Sequence, residues 1–411
     1  MESSGSRIRG PVDHIDRGRT DYPALCLDAD RCEMQTWTTQ SCAQEQRFSY
    51  WREVLCQAFV SLDPILADRQ AAVDFVGEVG SRPLSMSTQT RVFSRAQLVQ
   101  RRGEEIRRNP VEFCFANFQL EGSCVVRQDG QETLVSPGDF SIVDSTRPYF
   151  LDFRDDWRVL SFRIPREQLV SRLAAPYKST ARRVDGSTGM GLVASRFARS
   201  LEQVDASMGN AAQDGLSAAL NSIIAVALGA TLQAQERDRL PVRDAFRLAV
   251  ETYIRDHLAE PSLGPDMLAL RFKVSRRTLY GLFEEAPLSV GGLIRELRLQ
   301  CSARDLRSTP HPGVLAVALR WGFSDASHFS RLFKRRFGAC PREFAASAQK
   351  GSVDPTAGGT GPDLTLARAQ VQAIAKDHVS RGGPARAARL ADLHDEPAPT
   401  PALPGPRGAR L

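Results

Sequence analysis

Hydrophobic and polar positions change their spacing once along the chain. From about residue 75 to residue 165, short apolar runs rich in aromatic and β-branched residues are separated by turn signals, which is typical of β-strands. These runs are 113–120, 124–127, 140–143 and 159–162. Asp129-Gly130 predicts a two-residue hairpin, because both residue types tolerate a positive φ. Short strands at this close spacing predict a small barrel or jelly roll.

After residue 165 the pattern becomes helical. Segments 192–204 and 216–232 predict two helices that pack on the barrel or on a second subunit. The longest apolar stretch, 218–232, is shorter than the roughly 20 residues that cross a bilayer, and residues 1–20 lack an apolar signal core. We therefore expect a cytoplasmic protein without membrane contact.

The two ends of the chain lack sustained periodicity. Residues 1–45 predict a flexible arm, and residues 349–411, rich in Gly, Pro and Ala, predict a disordered tail. Such compositions bury too little apolar surface to offset the entropy of ordering the chain. Between them we predict a barrel domain with helices over 46–235 and a helical domain over 243–348.

The helical domain contains an internal near-repeat. Residues 268–275, LALRFKVS, resemble residues 317–324, VALRWGFS, and the apolar residues of the following segments also match. Each copy predicts a short helix, a tight turn and a second helix. Ser275 is the expected N-cap of the first copy, and Ser324 or Asp325 that of the second. Gly322 suits the left-handed backbone conformation that ends the preceding helix.

The second helix of each copy predicts a polar outer face. With the repeated leucines and phenylalanines inward, the outward residues are Arg277, Tyr280, Gly281 and Glu284 in the first copy, and Ser327, Ser330, Arg331 and Lys334 in the second. Such side chains reach base edges or phosphates in a major groove, although a solvated face of a helical bundle looks the same.

The charge distribution favours a polyanionic partner. Segment 243–348 carries 17 Lys and Arg against 11 Asp and Glu, and the whole chain carries 54 against 48, so the remainder is neutral. Between the two copies, Ser289 to about residue 307 predicts one helix of about 28 Å. A spacer of that length suits recognition helices in successive major-groove faces, about 34 Å apart.

Residues 322–334, GFSDASHFSRLFK, with Gly338 and Pro341, resemble the signature of AraC/XylS-type transcription regulators. The resemblance implies two DNA-binding helix-turn-helix units joined by a linker helix, usually with activation through RNA polymerase. We assign double-stranded DNA contacts to Arg276, Arg277, Tyr280, Ser327, Ser330, Arg331, Lys334 and Arg335. The chain departs from the family at Gly281, where an Arg is common, and at Cys340, where a Ser or Thr is usual.

Residues 49–55, 134–140 and 144–149 resemble the regulatory domain of one branch of this family. That resemblance implies a cupin-like barrel that senses a small-molecule effector and supports a homodimer; some relatives govern catabolism of aromatic compounds or amines. The predicted fold class is therefore α+β, with a cupin-like β-barrel followed by helices and an all-α C-terminal domain. Aromatic residues that could line the barrel are Phe113, Phe115, Phe118, Phe140, Tyr149 and Phe150.

A metal-dependent cupin enzyme with an accessory DNA-binding segment is the alternative function. Cupin enzymes generally hold their metal with histidines, but no histidine lies between His14 and His257. The prediction is thus a transcription regulator, not an enzyme, with no cofactor and no metal. A ligand-independent regulator, with a barrel that serves only for dimerisation, also remains open.

Overall fold

The computed structural model describes residues 34–66, 72, 74–204, 208–308 and 313–350. Our predictions for residues 1–33 and 351–411 lie outside this range. The strands are β1 Gln35–Thr38, β2 Asp63–Ile65, β3 Gly77–Leu84, β4 Ser87–Ser94, β5 Gln97–Arg101, β6 Phe113–Glu121, β7 Cys124–Gln128, β8 Gln131–Val135, β9 Phe140–Asp144, β10 Tyr149–Phe153 and β11 Trp157–Pro165. The helices are α1 Arg47–Ala58, α2 Gly103–Arg108, α3 Arg166–Val170, α4 Pro176–Ser179, α5 Gly189–Leu201, α6 Asn210–Leu228, α7 Leu232–Arg237, α8 Arg239–Asp256, α9 Pro265–Arg271, α10 Arg276–Leu282, α11 Val290–Arg307, α12 Val314–Arg320, α13 Ala326–Phe337 and α14 Pro341–Lys350.

Two antiparallel sheets form the N-terminal barrel. The first has the strand order β1-β3-β4-β11-β6-β9, and the second has the order β2-β5-β10-β7-β8. The predicted hairpin joins β7 to β8: Asp129 and Gly130 have φ angles of 53° and 75°, and Gln128 pairs with Gln131. The predicted α+β fold class, with an N-terminal cupin-like β-barrel followed by helices, is therefore confirmed.

The predicted flexible arm is wrong for its last residues. Residues 35–38 form β1, which pairs with β3 from Gln35↔Ser81 to Thr38↔Glu78. The segment also includes two short 3₁₀-helices, and the Thr39 hydroxyl accepts a hydrogen bond from the Gly77 backbone N–H at 2.9 Å. An edge strand this short has too few residues to show an alternating pattern, so its pairing partner decides its structure.

The first sheet is buried on both faces. Along β6, Cys114, Ala116 and Phe118 belong to an outer cluster with the helices, whereas Phe115 faces the barrel interior. Strand β11 alternates in the same way. Because successive side chains point to opposite faces of a sheet, double burial produces the continuous apolar runs seen in the sequence.

Helices α5 and α6 cover the outer face of this sheet and also pack against α8. Of the two options from the sequence, packing on the barrel is the one observed within the chain. By length and composition α6 is also the one helix among the described residues that could cross a membrane, yet 61% of its apolar window is buried. Such burial is typical of a core helix.

The C-terminal helices are divided between two cores. Helices α8, α9, α10 and the start of α11 join the same large cluster as the barrel and α5–α6. The end of α11 and helices α12–α14 form a separate cluster around Phe329 and Phe333. The sequence boundary between 235 and 243 thus lies inside one continuous core.

Candidate nucleic-acid interface

The first helix-turn-helix unit consists of α9, a four-residue turn and α10. The Ser275 hydroxyl accepts a hydrogen bond from the Thr278 backbone N–H at 3.0 Å, so Ser275 is the predicted N-cap of α10. Leu279 and Leu282 are buried on its inner face. Satisfying an otherwise unpaired N–H in this way stabilises the start of a short helix.

The second unit consists of α12, a turn and the longer helix α13. Its N-cap is Asp325 and not Ser324: one carboxylate oxygen accepts from the backbone N–H groups of Ser327 at 2.7 Å and His328 at 3.2 Å. These bonds hold the pKa of Asp325 below its usual range. Helix α13 ends at Gly338, which has a left-handed φ of 81°.

Both turns contain a left-handed residue at the equivalent position of the repeat. Gly322 has φ 72°, as the sequence predicted, whereas its counterpart Lys273 has φ 52°. A side chain in this region is strained by roughly 1–2 kcal/mol. The two turns thus share one backbone path, and only the second has the residue that suits it.

Nearly all of the predicted DNA-contacting residues are exposed on the outer faces of the two units. The exposed ones are Arg276, Arg277 and Tyr280 on α10, and Ser327, Arg331, Lys334 and Arg335 on α13. Ser330 is half-buried, and its hydroxyl donates to the Ala326 carbonyl at 2.8 Å. His328, which precedes the buried Phe329, is also exposed. The repeat therefore places the predicted set on the surface, which is where a duplex can reach it.

The two outer faces differ in charge. On α13, Arg331 and Lys334 form no ion pair or side-chain hydrogen bond within the described residues. The first unit is partly neutralised: Arg276 pairs with Asp266 at 3.1 Å, and Glu285 accepts from Arg243 on α8. Exposed pairs of this kind contribute little energy, so Arg276 can exchange Asp266 for a phosphate at small cost.

The linker helix α11 confirms the predicted spacer. Its N-cap is Ser289, whose hydroxyl accepts from the Gly292 N–H at 3.3 Å, and its 18 residues span about 27 Å. At helix α14, which follows α13, the Glu343 carboxylate accepts a hydrogen bond from the Cys340 backbone N–H at 3.0 Å, which is the bond that the acidic residue of a capping box makes.

A small cavity of about 50 Å³ lies inside the barrel. Uncharged side chains line it, and among them are Phe115, Tyr149, Phe153 and Trp157. Of the aromatic residues named from the sequence, Phe118 and Phe140 instead stack on each other in the outer cluster, with ring centroids 4.6 Å apart. Within the described residues, no group of three or more His, Cys, Asp or Glu side chains is arranged to hold a metal ion.

Comparison with known proteins agrees with both halves of this architecture. Residues 51–229 match the AraC-binding-like domain, and residues 268–347 match a helix-turn-helix domain. The chain belongs to the AraC family of transcription regulators. As an AraC-family protein it is a DNA-binding transcription regulator that responds to an effector.

Individual relatives of this AraC-family regulator differ in how much of it they match. The transcriptional activator NphR of Rhodococcus sp is 29% identical over 329 residues, which cover 79% of this chain and 94% of NphR. The transcriptional activator RhaS of Escherichia coli (strain SE11) is 37% identical over 92 residues, which cover 22% of this chain and 32% of RhaS. The solved structure of the AraC-like transcriptional activator CuxR has 17% identity and a TM-score of 0.43, and the match covers 65% of this chain and 94% of CuxR.

Proposed function

We propose that this regulator activates transcription from an operator that both recognition helices contact. The observation that carries the proposal is the pair of equivalent helices, α10 and α13, each with its polar face exposed and its apolar face buried. In the second unit, Arg331 and Ser327 read base edges; in the first, Arg277 and Tyr280 do so. Ser330, on the same helix as Arg331, contributes a further DNA contact in the second unit.

Phosphate contacts are assigned to Arg276, Lys334 and Arg335. Lys334 and Arg335 lie in the last turn of α13, where their charges also complement the negative end of the helix dipole. Contacts to phosphate position the protein on the duplex but carry no sequence information. Loss of a base-reading residue and loss of a phosphate-contacting residue should therefore change DNA binding in different ways.

The test uses a duplex that the wild-type protein selects from a random-sequence pool. Arg331→Ala should weaken binding to that duplex by about 1–3 kcal/mol and relax selectivity at one base pair, with little change on random DNA. Lys334→Ala should weaken binding to both and lower the slope of log K against log salt by about one unit. Arg336→Ala is the control, since Arg336 is already bound to Glu296 at 2.8 Å. Equal losses on selected and random DNA for Arg331→Ala would refute its base-reading role.

The effector proposed for the barrel is small, aromatic and uncharged. The cavity contains no charged group, and its polar side chains include Asn117 and Ser161, which hydrogen-bond to each other at 2.7 Å. Burial raises the pKa of the Tyr149 hydroxyl, so Tyr149 stays neutral and can donate to a ligand. Because benzene occupies an apolar cavity of about 150 Å³, an aromatic ligand must enlarge this one as it binds.

Thermal-shift measurements with phenol and with benzoate test this choice. A ligand that binds only the folded state raises the melting temperature, so phenol should stabilise the protein and benzoate should not. Stabilisation by benzoate alone would contradict the uncharged class, and stabilisation by neither would contradict the proposed aromatic effector.

We further propose a cytoplasmic homodimer that contacts RNA polymerase when bound to DNA, without catalytic activity of its own. NphR and RhaS are both activators, which supports activation here. The alternative is a metal-dependent cupin enzyme, and it requires a tightly held metal. Stoichiometric metal in the purified protein would favour that alternative.

A further inference from the structure

Arg298 is a buried charged side chain in the middle of the linker helix, with only 9% of its surface exposed. Its Nε donates to the Leu258 carbonyl at 3.0 Å, and Nη2 donates to the Glu260 carbonyl at 2.6 Å. Both carbonyls belong to the segment that leads from α8 into the first unit. The third bond, from Nη1 to the Gly322 carbonyl at 3.3 Å, reaches the turn of the second unit.

The guanidinium therefore connects the two DNA-binding units through backbone carbonyls alone. No ion pair within the described residues includes Arg298, and its burial lowers its pKa. An arginine remains charged even so. Because a buried charge is costly unless its hydrogen bonds are satisfied, the three carbonyls must stay in place around it.

The position of Arg298 coincides with the junction of the two C-terminal cores. Along α11, Ile294 belongs to the cluster of the first unit, and Leu299 to the cluster of the second. Trp321, beside Gly322, packs against both clusters, and its indole N–H donates to Asp305 on α11 at 2.9 Å. The turn of the second unit is thus held on the linker helix at two points.

Gly322 fits this contact closely. A Cβ added at Gly322 would lie 2.8 Å from Cζ and Nη2 of Arg298, so the guanidinium occupies the space that any side chain would need. The planar arginine fork donates in fixed directions. Two of its bonds hold the segment before the first unit and one holds the turn of the second, so the fixed directions of the fork restrict rotation of one unit relative to the other.

We propose that Arg298 is a positioning residue that fixes the relative orientation of the two recognition helices and thereby the half-site spacing that the regulator accepts. This inference rests on the proposed function, in which both helices contact one operator. Arg298 itself is buried and does not touch DNA in this role.

The experiment measures how full-length variants respond to a change of spacing. The probes are the selected duplex, the same duplex with roughly five base pairs inserted between its half-sites, about half a helical turn, and a duplex with one half-site. For the wild type, the insertion should weaken binding about 100-fold, since it turns one half-site away from its helix. Arg298→Lys retains the charge but loses the fork. For this variant the penalty, meaning the loss of affinity that the insertion causes, should fall to about tenfold or less.

The variants and controls separate this role from a general loss of stability. Arg298→Gln is a second variant, which loses both the charge and the fork, and Arg295→Lys, at an exposed arginine on the same helix, should behave as the wild type. Affinity for the single half-site should be unchanged in every variant that remains folded by circular dichroism. If either Arg298 variant is folded and keeps the full wild-type penalty, the inference is overturned.

Failure of the underlying function gives a different result. If the wild type itself shows no spacing penalty and protects only one half-site in footprinting, the two-helix operator proposal fails. Should both Arg298 variants unfold, Trp321→Phe removes the bond to Asp305 together with part of the ring that packs against the two clusters. It should reduce the penalty by a smaller factor, about threefold. An unchanged penalty in that variant would count against the proposal.

Discussion

The two helix-turn-helix units come from one repeated sequence pattern but are held in the protein in different ways. The buried side chains of the first unit, such as Phe272 and Leu279, belong to a cluster that continues through α8 into α5, α6 and the barrel sheet. The second unit has its own cluster, with Phe329 and Phe333 fully buried. Repeated sequence therefore does not mean equivalent support: the regulatory domain fixes the first unit, and the linker helix fixes the second.

Polar contacts strengthen the attachment of the first unit. Arg196 on α5 pairs with Asp256 on α8 at 2.5 Å and lies 4.9 Å from the ring centroid of Tyr253. The side chain of Lys273, in the turn of the first unit, lies beside Gly189 at the start of α5. Any movement of α5 relative to α8 must break the contacts of Arg196, whereas no ion pair among the described residues joins α12–α14 to α5.

The largest expected difference between the units comes from removing a core aromatic residue in each. Phe333→Ala should cost about 3–5 kcal/mol, because it leaves a cavity in a fully buried site. Hydrogen exchange should then show loss of protection in α12–α14 while the barrel and first unit stay protected. Phe272→Ala should instead reduce protection in α5 and α8 as well. Equal deprotection of the barrel by both variants would show that the two cores are not separate.

A smaller difference is expected at the left-handed turn residues. Gly322→Ala should destabilise the second unit by about 1–3 kcal/mol, because the residue needs positive φ and its Cβ meets Arg298. Lys273→Gly and Lys273→Ala both remove the long side chain and its contacts, but only glycine relieves the positive φ, so the glycine variant should be the more stable of the two by roughly 0.5 kcal/mol. Chemical denaturation measures all three variants. A glycine variant at residue 273 no more stable than the alanine variant, or a Gly322→Ala protein as stable as the wild type, would contradict the assigned backbone conformations.

A pH-dependent effect is expected at Asp185, which lies beside Lys273 in the turn of the first unit. Hydrogen bonds from Ser187 and Thr188, with the charge of Lys273, lower its pKa to about 2. A carboxyl with a lowered pKa stabilises the folded state above its unfolded pKa, about 3.9, and this contribution is lost as the pH falls through the folded value.

Asp185→Asn should therefore lower the free energy of unfolding by about 1 kcal/mol at pH 7, since solvent screens part of the effect. The difference from the wild type should shrink between about pH 4 and pH 2. Asp155→Asn, at an exposed carboxylate, is the matched control and should have no effect. A pH-independent difference for Asp185→Asn would indicate lost packing instead of lost charge.

Local patterns predicted the features that depend on local sequence. The hairpin at Asp129-Gly130, the cap at Ser275 and the linker helix from Ser289 each follow from a few neighbouring residues. The sequence does not distinguish Ser324 from Asp325 as the cap of α13, because both residue types are good caps and backbone angles choose between them. The exposed face of α13 follows from helical periodicity, which places Phe329 and Phe333 inward and Arg331 and Lys334 outward.

Features that depend on distant partners could not be predicted in this way. Strand β1 exists because β3 offers it an edge, and the core of the first unit joins the barrel through α8. Arg298 looks in the sequence like any solvated helix residue, since its acceptors lie 24 to 40 residues away. Only the folded chain brings those carbonyls together.

The continuous core of the first unit also determines where the protein can be divided. A fragment that begins at Arg239 would carry α8 without α5 and α6, and its bare apolar side would promote self-association. Exchange of sensor modules between such regulators would meet the same obstacle at that junction. The boundary between the two hydrophobic cores lies along the linker helix. The regulatory domain and the first helix-turn-helix unit therefore form one structural unit, and the second helix-turn-helix unit forms the other.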